Sequence, residues 1–267
     1  RFVVESRRKL YAAREQRSKP TTDTKIITSW NALAIKGHCD AYRILDIPDL
    51  LKMALDCGNY LKKYAFSNGR LWHVLYDDKA EITGYIEDYA TVAQAYIALY
   101  ETTFDEAWLI LAKALTETAI ELFYDPQTML FRFSAKDAEQ LISNHSNLFD
   151  NAIPSANAIM MHNLYQLGLQ FQDHNYQQMA DKMLELAYPI IQKSPGNMSY
   201  WAMVALQKLK PTAEIVFTGN DYIRNRKELD KSFFPNKVVA GAASSSSLPL
   251  LKDRQTEGME SYIYCCF

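Results

Sequence analysis

Two adjacent acids, Glu87 and Asp88, open a stretch that then carries no charge until Glu101, within Gly84-Tyr85-Ile86-Glu87-Asp88-Tyr89-Ala90. Asp150 leads into a second uncharged stretch through Asp150-Asn151-Ala152-Ile153-Pro154-Ser155-Ala156-Asn157. Asp23 and Lys25 precede a third start, Thr28-Ser29-Trp30-Asn31. Carboxylates, amides, hydroxyls and aromatic rings together are the chemistry of a carbohydrate site. Rings stack on sugar faces, amides bond to hydroxyls, and two carboxylates do acid and base work. Asp88 and Asp150 are the expected acid and base, with Glu87 as a third carboxylate, since neighbours on one helix do not face each other. Asp23, Lys25, Trp30, Asn31, Tyr89, Asn151, Ser155 and Asn157 are expected to position the substrate. The same residues have ordinary uses that compete with this reading. Acids in a first helical turn suit the helix dipole, Asn and Ser cap helices, and Trp30 serves equally well as a core indole.

The elements that would bring these residues together follow from periodicity. A first helix is expected over residues 2–17, with Arg14 and Arg17 on its solvated face. Trp30, Leu33, Ala34, Gly37, Ala41 and Ile44 recur at helical spacing over about 29–45 with few charges, so that helix should lie inside. Its partner, about 49–66, sets Leu50, Leu51, Ala54, Cys57 and Leu61 against Asp49, Lys52, Asp56, Lys62 and Lys63, the pattern of an outer helix. The alternation repeats with an inner helix at 86–101 and an outer one at 104–123. It repeats again with an inner helix starting at Ile153, uncharged to Gln172, and an outer one at 174–193. Between the first two cycles Asn68-Gly69 and the run Leu71 to Tyr76 predict a small hairpin, and Leu130 to Phe133 predicts another short strand. Stacked helical hairpins make an α/α toroid, and because hairpin helices alternate in direction, all inner helices start at one end. A helix near 197–209 precedes short strands at 214–219, 237–241 and 262–264 around a helix at 221–230. Residues 1–210 are thus expected as toroid hairpins and 211–267 as a small α/β segment packed on them.

With 48% hydrophobic and 22% charged residues and a net charge of -2, the composition offers neither a nucleic-acid groove nor a polybasic membrane anchor. No apolar run approaches the roughly 18 residues that span a bilayer, and the first residues are not a signal peptide, so a cytoplasmic location is expected. A start at Arg1 leads to the expectation that the chain is part of a longer polypeptide. The 4 cysteines form no Cys-x-x-Cys or other ligand spacing. His38, His73, His145, His162 and His174 are scattered, and Gly219-Asn220-Asp221 is no phosphate loop, so neither metal nor cofactor is expected.

Three ordered strings carry a resemblance: Arg14-x-x-Arg17-x-x-Pro20-x-x-Asp23-x-Lys25 with Thr28-Ser29-Trp30-Asn31, then Glu87-Asp88-Tyr89-Ala90, then Asp150-Asn151-x-x-Pro154-Ser155-x-Asn157. Together with Tyr100-Glu101-x-x-Phe104-Asp105-x-x-Trp108 and Glu214-Ile215-Val216, they resemble the spermatogenesis-associated thioredoxin-like family over nearly the whole chain. The resemblance implies a thioredoxin-like domain upstream of Arg1 and a six-hairpin glycosidase-type toroid, of which this chain is the later, incomplete part. That architecture hosts glycoside hydrolases, polysaccharide lyases and sugar epimerases, and a fold does not transmit a reaction. The chain departs from the family's separated terminal cysteines, since Cys265 and Cys266 are adjacent. Two functions are expected from these features. One is a glycosidase-like or sugar-epimerase-like enzyme using carboxylate acid/base chemistry. The other is a non-catalytic ligand-binding or scaffolding module attached to a redox domain.

Overall fold

The computed structural model describes residues 2–76, 79–138, 146–254 and 260–267, and His145 lies outside them. Helix α1 (Phe2–Glu15) buries none of its residues. Strand β1 (Ile26–Ile27) leads into α2 (Thr28–Leu45), and α3 (Pro48–Tyr60) returns along it, ending in a π-helical turn at Leu61–Ala65. Proline opens α3, where its missing N–H costs nothing. Strands β2 (Phe66–Ser67), β3 (Arg70–Tyr76) and β4 (Lys79–Thr83) then precede α4 (Ile86–Thr103) and its outer partner α5 (Glu106–Phe123). The short pair β5 (Tyr124–Asp125) and β6 (Leu130–Phe131) is followed by α6 (Ala156–Gln170), α7 (His174–Lys193) and α8 (Ser199–Lys208).

The charge pattern sorts these helices into two layers. In α4 every residue from Asp88 to Thr102 is buried, and in α6 every residue from Asn157 to Tyr165, because both are covered on all sides. The outer helices bury a single stripe, as in α7 with Tyr176, Ala180, Met183 and Ala187 at helical spacing. Helix α4 packs between α2 and α6 as well as against α5. The inner helices run in the same direction: the Ser29 N–H at the start of α2 donates to Asp88 at the start of α4 (3.1 Å), and Arg43 at the end of α2 meets Glu101 at the end of α4 (3.3 Å). The protein is therefore mainly α, with the hairpin layers of an α/α toroid.

The expected hairpin at Leu71–Tyr76 is larger than its alternation implied. Strand β3 pairs antiparallel with β4, β2 and also β1, through Ile26↔Leu75 and Ile27↔Val74. Residues 26–27, for which no strand was expected, form one because β3 offers their backbone groups partners. Gly84 is required where β4 meets α4. Its N–H donates to the Leu71 carbonyl at 2.8 Å, and a Cβ there would lie 2.8 Å from the same oxygen.

The last segment forms β7 (Ala213–Thr218), α9 (Tyr222–Asp230), β8 (Lys237–Ala242) and β9 (Tyr262–Cys266), in the order β8-β7-β9 with β8 parallel and β9 antiparallel to β7. It packs where the inner helices end. Gln170, the last residue of α6, donates to the Val239 carbonyl at 2.9 Å. Phe104, which caps α4 at a φ of 59°, lies against Gly241 so closely that a Cβ there would stand 2.6 Å from its ring.

Candidate functional site

The inner helices begin at one end, and Asp88 is the joint between two of them. It is fully buried, and its Oδ2 accepts from the Tyr85 N–H at 2.9 Å, closing the first turn of α4 on itself. Its Oδ1 accepts from the Ser29 N–H at 3.1 Å, satisfying a free amide at the start of α2. The third partner is His73 of β3, whose Nδ1 lies 2.9 Å from Oδ2. With Nδ1–H donating to the carboxylate, the tautomer is fixed and Nε2 is left for other partners. The hydrogen bond that His73 donates to Asp88 holds the imidazole above its ordinary value, burial opposing it.

Glu87, one residue earlier, is placed differently. Burial raises its carboxyl above the usual range, the Asp88 charge adds to that, and His73 counteracts it. One ligand atom from each of His73, Glu87 and Asp88 lies within 4.8 Å of the other two. A cation held there would compete for Asp88 oxygens that already accept from two backbone amides and an imidazole. This set is therefore better arranged for moving a proton than for holding a metal.

Glu87 also borders a cleft of about 130 Å³ between the starts of α4 and α6, with Phe131, Phe133, Phe149, Asn151 and Ser155 among its walls. Phe133 stacks on Tyr85 at 4.6 Å between ring centroids, and Tyr85 meets the His73 ring edge-on at 5.0 Å, so aromatic surface links the cleft to the imidazole.

The other expected site residues divide between this cleft and the framework. Asp150, the expected partner of Asp88, accepts from the Ser155 N–H and the Tyr200 N–H, each at 2.8 Å, and from the Ser199 hydroxyl at 3.2 Å. It ties the approach to α6 onto the start of α8. Asn157 lines the cleft yet is consumed as a false strand: its Oδ1 accepts from the Phe131 N–H and its Nδ2 donates to the Phe131 carbonyl. Ser155 donates its hydroxyl to the Asn147 carbonyl at 2.9 Å. Tyr89 is a core residue, packed on Phe123 with its oxygen accepting from the Leu71 N–H. Asn31 turns toward α3, where the Cys57 thiol approaches it, and donates to the Ile27 carbonyl. Asp23 and Lys25 form an exposed pair at 3.0 Å, and Trp30 is 63% exposed. The cleft thus brings together Glu87, Asn151, Ser155 and Asn157, with Asp88 buried next to Glu87 and outside its walls, whereas Asn31 and Tyr89 face packed neighbours.

His73, Tyr85, Phe133 and Phe149, which adjoin Glu87 or Asp88 in this arrangement, are not among the expected site residues. For His73 a signal exists. It shares strand parity with Leu71 and Leu75, both fully buried or nearly so, and the alternation of β3 therefore sends an imidazole inward.

No family model matches the chain. The chain is similar to spermatogenesis-associated protein 20: it is 26% identical to the human protein over 97% of its own length and 27% identical to the mouse protein over 93%. It spans only about a third of those relatives, 36% and 35% of their lengths. Among solved structures it is similar to cellobiose 2-epimerase from Bacillus thermoamylovorans, with a TM-score of 0.54 and 18% identity over 64% of this chain and 46% of that one. It is also similar to an alpha-mannanase from Bacteroides thetaiotaomicron, with a TM-score of 0.56 and 15% identity over 79% of this chain and 59% of that one. A sugar epimerase from a ruminal bacterium gives 0.54 and 15% over 65% and 46%. The chain therefore has the six-hairpin glycosidase-type helical fold, in part. No helix among the described residues is long and apolar enough to cross a membrane.

Proposed function

We propose that the end of the ring where the inner helices start handles a carbohydrate, with Glu87 and His73 exchanging protons with it. The carrying observation is the half-buried Glu87 carboxyl, held protonated to higher pH than usual, within 4.8 Å of an imidazole that Asp88 orients and on the wall of an aromatic cleft. Efficient general acids and bases have values moved toward the working pH, and here the carboxyl is raised by burial while the imidazole is raised by its carboxylate. Of the expected carboxylate trio, we give the transfer role to Glu87, the orienting role to Asp88, and to Asp150 the placement of α8 and of the cleft wall at Ser155. Asn151 would meet sugar hydroxyls, and Phe133 or Phe149 the ring face. The cleft is smaller than the about 300–1,000 Å³ of a complete small-molecule pocket, so we read it as one subsite.

Proton transfer at a sugar carbon, as in epimerisation or isomerisation, suits this pair better than hydrolysis. Two-carboxylate hydrolysis needs a second free carboxylate, whereas Asp88 and Asp150 both spend their oxygens on backbone amides. The named structural neighbours, two epimerases and a mannanase, support a carbohydrate as the ligand class by analogy of fold. The same occupied carboxylates favour a second reading, a non-catalytic site that holds a sugar for another part of a longer protein.

The test is incubation with reducing mono- and disaccharides in D2O, followed by NMR of the recovered sugar. Deuterium at a carbon beside the carbonyl, lost in Glu87→Gln and in His73→Ala, is the expected result. Saturation-transfer contacts without deuterium uptake would establish the second reading. Release of monosaccharide from a glycan, unaffected by His73→Ala, would overturn the proton-transfer assignment.

A further inference from the structure

A larger cavity lies toward the other end of the inner helices. Its volume is about 660 Å³, and it is walled by the C-terminal halves of α2 and α4, by α6 and α8, and by the segment joining α9 to β8. That is the size of a complete small-molecule site. One wall is a hydrogen-bonded relay. The Gln94 amide donates to the Tyr200 oxygen, so the phenol proton points to His162 Nδ1 at 3.0 Å, and the far side of the imidazole meets Gln207. Burial pushes His162 down to about 4, which keeps this wall neutral.

The rest of the lining is charged, and its charges nearly cancel. Lys36 and Arg43 each reach Asp40 at 2.6 Å, Arg43 also meets Glu101 at 3.3 Å, and Arg226 pairs with Asp230. Lys231 at the rim is held by Glu228 at 2.7 Å. Lys237 is left over. Among the described residues no carboxylate lies within 4.0 Å of its ammonium, which donates to the Phe234 carbonyl at 2.6 Å. An ammonium has three donors, so two remain for the cavity. Burial, more than any neighbouring charge, works against the charged form of Lys237, and an anion brought to it would relieve that cost.

We infer that this cavity binds a small hydroxylated organic anion, a sugar acid or sugar phosphate, with Lys237 taking the anionic group and the Gln94–Tyr200–His162–Gln207 wall taking the hydroxyls. The balanced pairs around Lys237 leave one net positive charge for the ligand, and the neutral wall supplies donors and acceptors in alternation. A ligand without charge would leave the partly buried Lys237 ammonium without a carboxylate or phosphate in direct contact. A ligand without hydroxyls would cover the amides and the phenol without bonding to them. The site is separate from the Glu87 cleft and does not depend on its chemistry.

Isothermal titration calorimetry of the chain with D-glucuronate, glucose 6-phosphate, D-glucose and inorganic phosphate tests the inference. At least one anionic sugar should bind about tenfold or more tightly than both glucose and inorganic phosphate. Lys237→Met should abolish that advantage, Lys237→Arg should restore much of it, and Glu87→Gln should leave it unchanged. Circular dichroism and thermal melts verify that the variants are folded. Preference for the phosphate or for the carboxylate identifies the anion. Equal binding of glucose and both anionic sugars, no binding of either anionic sugar at millimolar concentration, or an undiminished advantage in folded Lys237→Met protein overturns the inference. Loss of binding in Glu87→Gln but not in Lys237→Met would move the ligand to the other end of the ring and overturn it equally.

Discussion

Asp88→Asn is the most informative single change, because it preserves shape while removing the charge that three donors share. The carboxylate accepts from Ser29 N–H, Tyr85 N–H and His73 Nδ1 in a fully buried position. A carboxamide has one carbonyl oxygen, and its NH2 must face either the Ser29 or the Tyr85 amide. A buried donor left without an acceptor costs about 1–3 kcal/mol, and a bond that loses its charged acceptor weakens by about 1 kcal/mol. The expected destabilisation is therefore about 2–4 kcal/mol, a large part of the 5–15 kcal/mol that holds a typical domain folded. Urea unfolding followed by circular dichroism at pH 7 reads this as a lower midpoint at unchanged slope.

The same change has a pH signature. The Asp88 hydrogen bond is the largest cause of the raised His73 value, so NMR titration of that imidazole should move down in the variant. A base with a raised folded-state value stabilises the fold fully below its unfolded value, near 6.5, and ceases to do so as the pH rises through the folded value. The stability gap between wild type and Asp88→Asn should accordingly be widest below about pH 6.5 and narrow above the raised His73 value. An unchanged urea midpoint together with an unchanged His73 titration would refute the role of Asp88 as the joint of α2, α4 and β3. It would return that carboxylate to candidacy as a free acid.

Two further changes probe the frame around the site. Gly84→Ala would press a Cβ against the Leu71 carbonyl, a backbone atom that cannot swing away, and should cost about 1–3 kcal/mol by overpacking in the same urea assay. His162, which burial pushes to about 4 from 6.5, must gain a proton when the chain unfolds in mild acid, so its contribution is lost as the pH falls from 6.5 toward 4. About 3 kcal/mol of the acid destabilisation should come from this group at pH 4, and a stability–pH profile of His162→Gln should be flatter there by that amount.

The layers of α4 and α6 were legible because charge alone distinguishes them. A helix such as α6, with no charged residue from Ile153 to Gln172, has to be enclosed, and its partners α5 and α7 carry their charges on one side. Helix α2 instead buries Ala32, Ile35, Cys39 and Tyr42 and leaves Trp30, Ala34, Gly37 and Ile44 of its expected inner stripe exposed, since sparse charge does not say which face of a helix is covered. Convergence of the helix starts followed from hairpin geometry and is seen in the Ser29–Asp88 bond. Side-chain direction was not legible. Asn157 and Ser155 were expected to meet a substrate, yet backbone groups of Phe131 and Asn147 claim them, because a buried loop must satisfy its peptide groups before it can serve a ligand. Asn31 illustrates the same limit, since one helical step decides whether an amide faces a cleft or the neighbouring α3. The hairpin carrying His73 was foreseen as an element but not as a source of chemistry, because its partner Asp88 is 15 residues away along the chain.

Asp88, the carboxylate expected to do the chemistry, and its neighbour Glu87 can be separated by what else depends on each. Asp88 joins three elements, so losing it removes stability and any activity together, and a dead variant at that position says nothing about chemistry. Among the described residues the Glu87 carboxyl is not engaged by any backbone amide, and its raised value stems mainly from burial. Replacing a raised acid by a neutral isostere removes a strained charge at neutral pH, so Glu87→Gln should hold or slightly increase stability. Proton exchange with a sugar, if Glu87 performs it, must then vanish from a fold that is intact. That separation of function from stability is available at Glu87 and not at Asp88, so the chemistry of this end of the ring should be judged first at Glu87.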